Sequence, residues 1–286
     1  MRLSWANYSL DFSRKTYIMG ILNVTPDSFS DSGLYFDKSA AIKRALRMVE
    51  EGADIIDIGG ESTRPGSDPL AIEEEVRRTI PVVEALSREI AVPLSIDTYK
   101  SGVAKRALDA GASMVNDIGG LRFDPGMPKV VSDYKVPVVI MHIKGKPKDM
   151  QKNPVYEALM PEIMDSLREG IRAATESGIS EDKIIIDPGI GFGKTSEHNL
   201  EILHALYDLT LLEKPILVGP SRKAFIGKAL GDAPPGERLE GTAAAVAISI
   251  MNGADIIRVH DVKAMAGVAR VADAIKRMRI DNAPKR

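Results

Sequence analysis

The chain has 286 residues, 44% of them hydrophobic, and a formal net charge of −2 at pH 7. This charge gives no reason to expect nucleic acid or an acidic membrane surface as a partner, and the absence of cysteine excludes disulfides, thiol catalysis and thiolate metal sites. No segment approaches the roughly 20 apolar residues of a membrane span, and the N-terminal segment lacks the apolar run of a signal peptide. We therefore expect a soluble, cytoplasmic protein.

The predicted elements begin with residues 2–16, which precede the first long apolar run and could form a β-hairpin under the floor of a barrel. Helical stretches with apolar residues about 3.6 apart follow, for example 39–52, 73–90 and 240–253. Eight Ile/Val-rich runs between such stretches are predicted strands: 17–24, 55–59, 94–98, 114–118, 136–143, 184–187, 216–219 and 256–259.

A weak internal repeat supports this order of elements. Segments 50–60, 109–120 and 251–261 each contain a helix end, a Gly-Ala pair and a short β-rich run. Glycine after a helix supplies the left-handed conformation that ends it, and the apolar run that follows is typical of a strand buried on both faces. Eight alternating units favour a closed parallel barrel over an open doubly wound sheet. We predict one α/β domain over 1–286, a (β/α)8 TIM barrel with an N-terminal β-hairpin: hairpin 1–16, barrel 17–279 and tail 280–286.

Polar residues end several of the predicted strands. The first strand leads into NVTPDSFSD (23–31), where Thr-Pro-Asp is typical of a turn and the small polar residues suit a mobile flap over 24–36. An ordinary surface turn is the alternative. Asn23 could offer its oxygen to a hard cation or its amide to an anion.

The second strand carries Asp57 and leads into the glycine-rich GGESTRPG (59–66). Thr63 and Arg64 in this loop suit phosphate oxygens, because a guanidinium binds them with two parallel hydrogen bonds. A salt bridge from Arg64 to Glu61 or to a neighbouring loop is the alternative.

Asp97, Asn116 and Asp187 end three different strands, and a barrel would bring them together at one mouth. They offer mostly hydrogen-bond acceptors. A heterocycle with an amino group, a ring N–H and a carbonyl, such as guanine or pterin, would satisfy them. The alternative is a structural network of buried polar groups, to which we assign Asp57.

The segment GIGFGKT (189–195) lacks the spacing of a phosphate-binding P-loop, so Phe192 is better interpreted as an aromatic surface for a flat ligand. His142 ends the fifth strand and is interpreted as structural. His198 and His204 lie on a predicted helix and are expected at the surface.

The seventh strand leads into GPSRK (219–223), which provides the Ser221 hydroxyl and the Lys223 cation. Arg258 and His260 are two residues apart in the eighth strand and therefore point to the same face. Two potential cations side by side would repel, so we expect an anion between them, with pairing to acids such as Asp255 or Asp261 as the alternative.

Seven motifs in chain order resemble those of the dihydropteroate synthase family of pterin-binding TIM barrels: NVTPDSFSD, DIGGESTRPG, SIDTYK, NDI, DPGIGFGK, VGPSRKAFIG and RVHDV. The similarity covers nearly all of the chain from 17 to 279. It implies a transferase of folate biosynthesis that condenses 6-hydroxymethyl-7,8-dihydropterin diphosphate with 4-aminobenzoate, giving 7,8-dihydropteroate and pyrophosphate. It also implies Mg²⁺ as cofactor and a homodimer, for which Ala/Val/Ile-rich helices near the C-terminus could supply the interface.

The resemblance implies roles for residues at matching positions. The pterin would be held by Asp97, Asn116, Asp187, Lys223 and Arg258. The diphosphate would be bound by Asn23, Thr63, Arg64, Arg258 and His260, with Mg²⁺ at Asn23. The 4-aminobenzoate would be framed by Phe29, Pro65, Phe192, Ser221 and Lys223. Catalysis would rest on Asp97, Asp187, Lys223 and Arg258.

Two other functions stay open at this point. A folate-dependent methyltransferase would share the barrel and the pterin pocket, but it handles no diphosphate and needs no site for 4-aminobenzoate. A non-catalytic pterin-binding paralogue would bind pterin without turnover.

Overall fold

A two-stranded hairpin begins the chain, in a computed structural model that describes residues 1–25 and 38–281. Strands β1 (Arg2–Trp5) and β2 (Tyr8–Asp11) pair antiparallel, with Leu3 opposite Leu10. The side chains of Leu3, Trp5 and Leu10 are buried, since alternate residues of both strands point to the same face. The predicted N-terminal hairpin is therefore confirmed.

Eight parallel strands follow in the described part of the chain. They are β3 (Tyr17–Asn23), β4 (Ile55–Gly59), β5 (Leu94–Asp97), β6 (Met114–Asp117), β7 (Val138–Met141), β8 (Ile184–Asp187), β9 (Leu217–Val218) and β10 (Ile256–Val259). Their order in the sheet is β8-β7-β6-β5-β4-β3-β10-β9. An isolated parallel bridge between Ile186 and Ile216 joins the two edge strands, so the sheet closes into the predicted barrel.

Helices connect the strands and cover the outside of the barrel. They are α1 (Lys38–Glu50), α2 (Ile72–Glu89), α3 (Ser101–Asp109), α4 (Met127–Tyr134), α5 (Leu159–Glu176), α6 (Ser196–His204), α7 (Ala224–Ala229), α8 (Leu239–Met251) and α9 (Val262–Asp281). α9 continues past residue 279, where we expected the barrel to end, because the next helix breaker is Pro284. No helix in the described ranges is both long and apolar enough to cross a membrane.

The glycines of the internal repeat end helices as predicted. Gly52, Gly111 and Gly253 have φ angles of 105°, 112° and 109°. A side chain at Gly111 would also stand 2.5 Å from the Cβ of Ser87 on α2, so both the backbone angle and the packing require glycine there. The predicted strands were in several cases too long: the run 136–143 forms a strand only from Val138 to Met141.

Two apolar layers surround the strands. One lies between the strands and the helices. The other fills the barrel at the N-terminal ends of the strands, where Met19, Ile55, Met114, Val139 and Ile185 pack with the hairpin residues Leu3, Trp5 and Leu10. The hairpin thus seals the floor, and the opposite end of the barrel stays open to ligands.

Candidate active site

The carboxyl ends of the strands surround one polar pocket. It is lined by Thr63, Asp97, Asn116, Ile118, Met141, Asp187, Ile190, Phe192, Gly219, Lys223 and Arg258. The five residues expected to hold a bicyclic heterocycle all belong to this lining. The active sites of TIM barrels lie at this end of the strands, so the pocket is the candidate active site.

Strand register explains how distant residues meet here. Asp97 pairs with Asn116 on the next strand, and Gly59 on the other side is the register partner of Asp97. A side chain at Gly59 would stand 3.4 Å from Asp97 Oδ2, so the glycine leaves room for the carboxylate. The parallel register therefore places the acceptors of neighbouring strands at one height.

Arg258 is held in the pocket lining by two carboxylates. Its Nε donates to Asp57 Oδ2 at 2.6 Å and its Nη2 to Asp97 Oδ2 at 2.5 Å, while Asn116 Nδ2 donates to the same Asp57 oxygen at 2.9 Å. Asp57 is fully buried and its Oδ2 accepts both hydrogen bonds from within the protein, as the assignment to a structural network predicts, while its Oδ1 has no partner in the described part of the chain. Asp57 and Asp97 offset the charge of Arg258 among the described residues, and the expected anion between Arg258 and His260 stays a prediction.

Burial leaves Asp97 with an unused acceptor. Its Oδ1 is buried without a hydrogen-bond partner among residues 1–25 and 38–281. Burial raises the pKa of Asp97, and this outweighs the opposing effect of Arg258. A buried acceptor without a partner is unfavourable by about 1–3 kcal/mol, so a ligand that donates a hydrogen bond there would be favoured.

Asp187 and Lys223 form the opposite wall of the pocket. Asp187 Oδ1 accepts from the Gly189 N–H at 2.7 Å, and burial raises the pKa of Asp187 to about 6. Burial and Arg258 lower the pKa of Lys223 to about 8. The Lys223 ammonium lies 4.2 Å from the centre of the Phe192 ring, a cation–π contact. Gly191 is needed nearby, since its φ is +81° and a Cβ would stand 3.0 Å from Lys223.

Ser221 and His260 contact each other beside the pocket. The Ser221 hydroxyl lies 3.0 Å from His260 Nδ1 and accepts from the His260 backbone N–H at 3.2 Å. Burial and then Arg258 lower the pKa of His260 to about 4, so this histidine is neutral at pH 7. Of the two potential cations, only Arg258 is therefore charged at pH 7.

The acids proposed as partners for Arg258 and His260 have other roles. Asp261 pairs with Arg222 at 2.6 Å, and Asp255 accepts from the Ile216 backbone N–H at 2.9 Å. In the described part of the chain Arg258 therefore pairs with acids, as the alternative predicted, but with Asp57 and Asp97 and not with these two. Asp255 and Asp261 act as local structural contacts.

The remaining predicted residues lie at the rim. Asn23 ends β3 and is half-buried, Thr63 lines the pocket, and Arg64 and Pro65 are exposed. The alternative salt bridge from Arg64 to Glu61 is absent from the described residues, because Glu61 pairs with Lys100. Phe29 and most of the expected flap over 24–36 lie outside the described residues.

The histidines away from the mouth differ in exposure. His142 is buried, with a pKa lowered to about 2 chiefly by burial, and is structural as predicted. His204 is exposed as expected, whereas His198 is half-buried, because its Nδ1 accepts from the Thr195 N–H in a capping box that begins α6.

The sequence analysis missed Lys194. This lysine is 2% exposed, and its ammonium donates to His142 Nδ1 at 2.9 Å and to the Phe192 carbonyl at 3.0 Å. Burial lowers the pKa of Lys194 to about 7. Lys194 is the last residue of DPGIGFGK (187–194), and this segment was interpreted only against the spacing of a phosphate-binding P-loop, which it lacks.

Known proteins are similar to this chain over most of its length. A family described as "Pterin binding enzyme" matches residues 19–260. Dihydropteroate synthase of Synechocystis sp. is 49% identical over 93% of this chain and 92% of its own length. The structure of Xanthomonas albilineans dihydropteroate synthase with 4-aminobenzoic acid is 44% identical with a TM-score of 0.90, covering 96% of this chain and 98% of that one. The same enzyme in complex with 7,8-dihydropteroate is 42% identical with a TM-score of 0.87, covering 96% and 99%.

Proposed function

This chain belongs to the dihydropteroate synthase family of pterin binding enzymes, and we propose that it condenses 6-hydroxymethyl-7,8-dihydropterin diphosphate with 4-aminobenzoate. The products are 7,8-dihydropteroate and pyrophosphate, so the chain is a transferase of folate biosynthesis. The observation that carries this proposal is the convergence of two carboxylates, one amide and two cations on a single pocket at the open end of the barrel.

The pterin is matched to this pocket donor by donor. Asp97 and Asp187 accept from the amino group and the ring N–H of the pterin, and Lys223 donates to its carbonyl. Asn116 uses its amide N–H on Asp57, which leaves its oxygen for the ligand. Arg258 packs against the face of the ring, because its two ion pairs hold the guanidinium in place.

The diphosphate extends from the pterin toward the rim, where Asn23, Thr63, Arg64, Arg258 and His260 bind it. Neutral His260 donates one ring N–H, since its Nδ1 is engaged by Ser221. Mg²⁺, when bound, would offset the negative charge of the phosphate oxygens. No group of three or more His, Asp or Glu that could hold a metal occurs in 1–25 and 38–281, so Asn23 would share the ion with phosphate and water, as Mg²⁺ sites commonly do.

The 4-aminobenzoate stacks beside Phe192, with Pro65 next to it and Ser221 and Lys223 near its carboxylate. An aromatic amine is already a nucleophile at neutral pH, so the protein has no need to activate it. The difficult step is departure of the leaving group.

The bond between the pterin methylene carbon and the diphosphate oxygen breaks, and its electron pair leaves with pyrophosphate. Asp97 and Asp187 stabilise the positive charge that develops on the methylene. Arg258, His260 and Asn23 stabilise the negative charge on the departing group. The lone pair of the amine then forms the carbon–nitrogen bond, and the nitrogen loses a proton to solvent. The loop after β4 excludes water that would capture the cation.

We further propose that the protein works in the cytoplasm as a homodimer. Ile248 on α8 and Val271 and Ile275 on α9 are apolar and 48%, 62% and 53% exposed. Val271 and Ile275 are four residues apart and share a face of α9. Light scattering that gives twice the chain mass would support the dimer, and a single chain mass would refute it.

A coupled assay that omits pterin diphosphate, 4-aminobenzoate and Mg²⁺ in turn tests the function. The proposal predicts pyrophosphate release and 7,8-dihydropteroate formation only when all three are present. A folate-dependent methyltransferase would release no pyrophosphate from the pterin diphosphate. A non-catalytic paralogue would bind the pterin but form no product.

A further inference from the structure

A buried ion cluster lies behind the loop after β4, outside the pocket. It consists of Lys100 with two carboxylates, Glu61 and Glu75. Lys100 is 9% exposed and Glu75 1% exposed, so burial of these charges must be offset by close contacts. Neither the predicted site nor the proposed chemistry uses any of the three.

The cluster joins the two ends of the loop segment 61–70. Glu61 Oε2 accepts from the Leu70 N–H at 2.7 Å and also contacts the Lys100 ammonium. Lys100 in turn donates to the Leu70 carbonyl at 2.7 Å. Both backbone groups of Leu70 are therefore bound by the ion pair that begins at Glu61.

Between these ends the segment carries Thr63 and Arg64. It is folded on itself, because the Ser67 hydroxyl donates to the carbonyls of Ser62 and Arg64 at 2.5 and 2.8 Å. The ion pair of Glu61 and Lys100 therefore holds the two ends of the segment together, and local hydrogen bonds hold the residues between them. Movement of these ends would displace Thr63, which lines the pocket.

The end of β5 supplies the pocket carboxylate, and the turn between β5 and α3 supplies the anchor. Asp97 faces the pocket, and three residues later Lys100 holds the loop, while the Tyr99 hydroxyl donates to Glu61 Oε1 at 2.7 Å. The pterin wall and the diphosphate loop are therefore fixed to one another by residues 97–100.

We propose that Glu61 and Lys100 are positioning residues that hold the loop 61–70 in the conformation in which Thr63 and Arg64 reach the diphosphate. This proposal rests on the proposed function for its substrate. Glu75 neutralises Lys100 from the side of α2 and makes no hydrogen bond or ion pair with residues 61–70 in the described part of the chain. It therefore serves as the matched control.

The experiment compares Glu61→Ala with Glu75→Gln. Each variant leaves Lys100 with one carboxylate partner, so neither creates an uncompensated buried charge. In Glu61→Ala we expect KM for the pterin diphosphate to rise about tenfold or more, which corresponds to about 1.4 kcal/mol of lost binding. We expect the Kd for 6-hydroxymethylpterin, which lacks the diphosphate, to change less than about twofold, because its pocket is formed by strand ends.

Hydrogen exchange measured by mass spectrometry supplies a readout that is independent of activity. The peptide that covers 61–70 should exchange faster in Glu61→Ala than in the wild type, and Glu75→Gln should leave that peptide and KM unchanged. If Glu61→Ala does not fold, Tyr99→Phe, which removes one hydrogen bond to Glu61, should raise KM in the same direction by about twofold to threefold.

Three results would overturn the anchor: equal effects of Glu61→Ala and Glu75→Gln, an unchanged KM in Glu61→Ala, or equal loss of 6-hydroxymethylpterin binding. Wild-type protein that binds 6-hydroxymethylpterin but never releases pyrophosphate would instead refute the proposed function. In that case the exchange of the peptide 61–70 still tests the anchor.

Discussion

The two ends of this barrel differ although the same strands build both. At the floor, Ile55, Met114, Ile185 and Ile256 point inward and pack against the hairpin. Two residues further along each strand, the same face carries polar or charged groups: Asp57, Asn116, Asp187 and Arg258. Because residues two apart on a strand share a face, the apolar layer that stabilises the barrel lies directly next to the polar layer of the candidate active site. The comparison predicts that substitutions at the floor change the free energy of unfolding, whereas those at the mouth change kinetics.

The largest effect is expected from Asp97→Asn at the mouth. The variant loses the charge that faces Arg258 and the developing cation, so we expect kcat to fall about 100-fold to 1000-fold. Steady-state release of pyrophosphate measures it. Asp255→Asn is the matched control, since that carboxylate holds the Ile216 N–H at the opposite end of the barrel. Near-normal turnover in Asp97→Asn, or an equal loss in Asp255→Asn, would contradict the comparison.

Leu3→Ala tests the floor. Leu3 lies in the N-terminal hairpin and is 1% exposed. Removing a buried leucine side chain lowers the free energy of unfolding by about 2–5 kcal/mol. Urea unfolding measures this loss. Both KM values should match those of the wild type at a temperature where the variant is folded. An altered KM would show that the two ends are not independent.

The pH dependence of kcat/KM for the pterin substrate tests the charges at the mouth. Asp187, with its pKa raised to about 6, ionises only above that pH, so kcat/KM should rise through about pH 6. Lys223, with its pKa lowered to about 8, loses its proton above that value, so kcat/KM should fall there. The resulting bell-shaped pH profile of kcat/KM reports pKa values of the free enzyme. Burial also raises the pKa of Asp97, to about 7, so its ionisation contributes to the same limb. Asp187→Asn should therefore shift the acid limb toward the pKa of Asp97, and a bell that survives this substitution unchanged would contradict the assignment.

The smallest expected effect is that of Phe192→Leu. The ring contributes an aromatic surface and a cation–π contact to Lys223, together about 0.7–1.4 kcal/mol, so KM for 4-aminobenzoate should rise about threefold to tenfold. Phe123→Leu is the control, because Phe123 packs near Lys146 outside the pocket lining. Similar KM values for the two variants would remove Phe192 from the site.

Much of this mouth could be predicted from sequence because barrel geometry is regular. A polar residue that ends an apolar strand must lie at the common mouth, which suffices to bring Asp97, Asn116 and Asp187 together. The family resemblance added Lys223 and Arg258 to this set, although the sequence itself shows no contact between these residues. These residues do lie around one pocket.

Contacts between loops could not be predicted in the same way. The pairing of Lys100 with Glu61, and of Lys194 with His142, joins residues far apart in the sequence, and no periodic pattern specifies such pairs. The charge state of His260 also depends on burial that a two-residue spacing does not reveal. Sequence therefore predicts the strand ends better than the network that positions them.

A crystal structure with bound 6-hydroxymethylpterin tests the central claim most directly. The account predicts that the ring lies in the mouth, with its donors within hydrogen-bond distance of Asp97 and Asp187 and its face against Arg258. A ring bound elsewhere, or bound in this pocket without contact to either carboxylate, would contradict it.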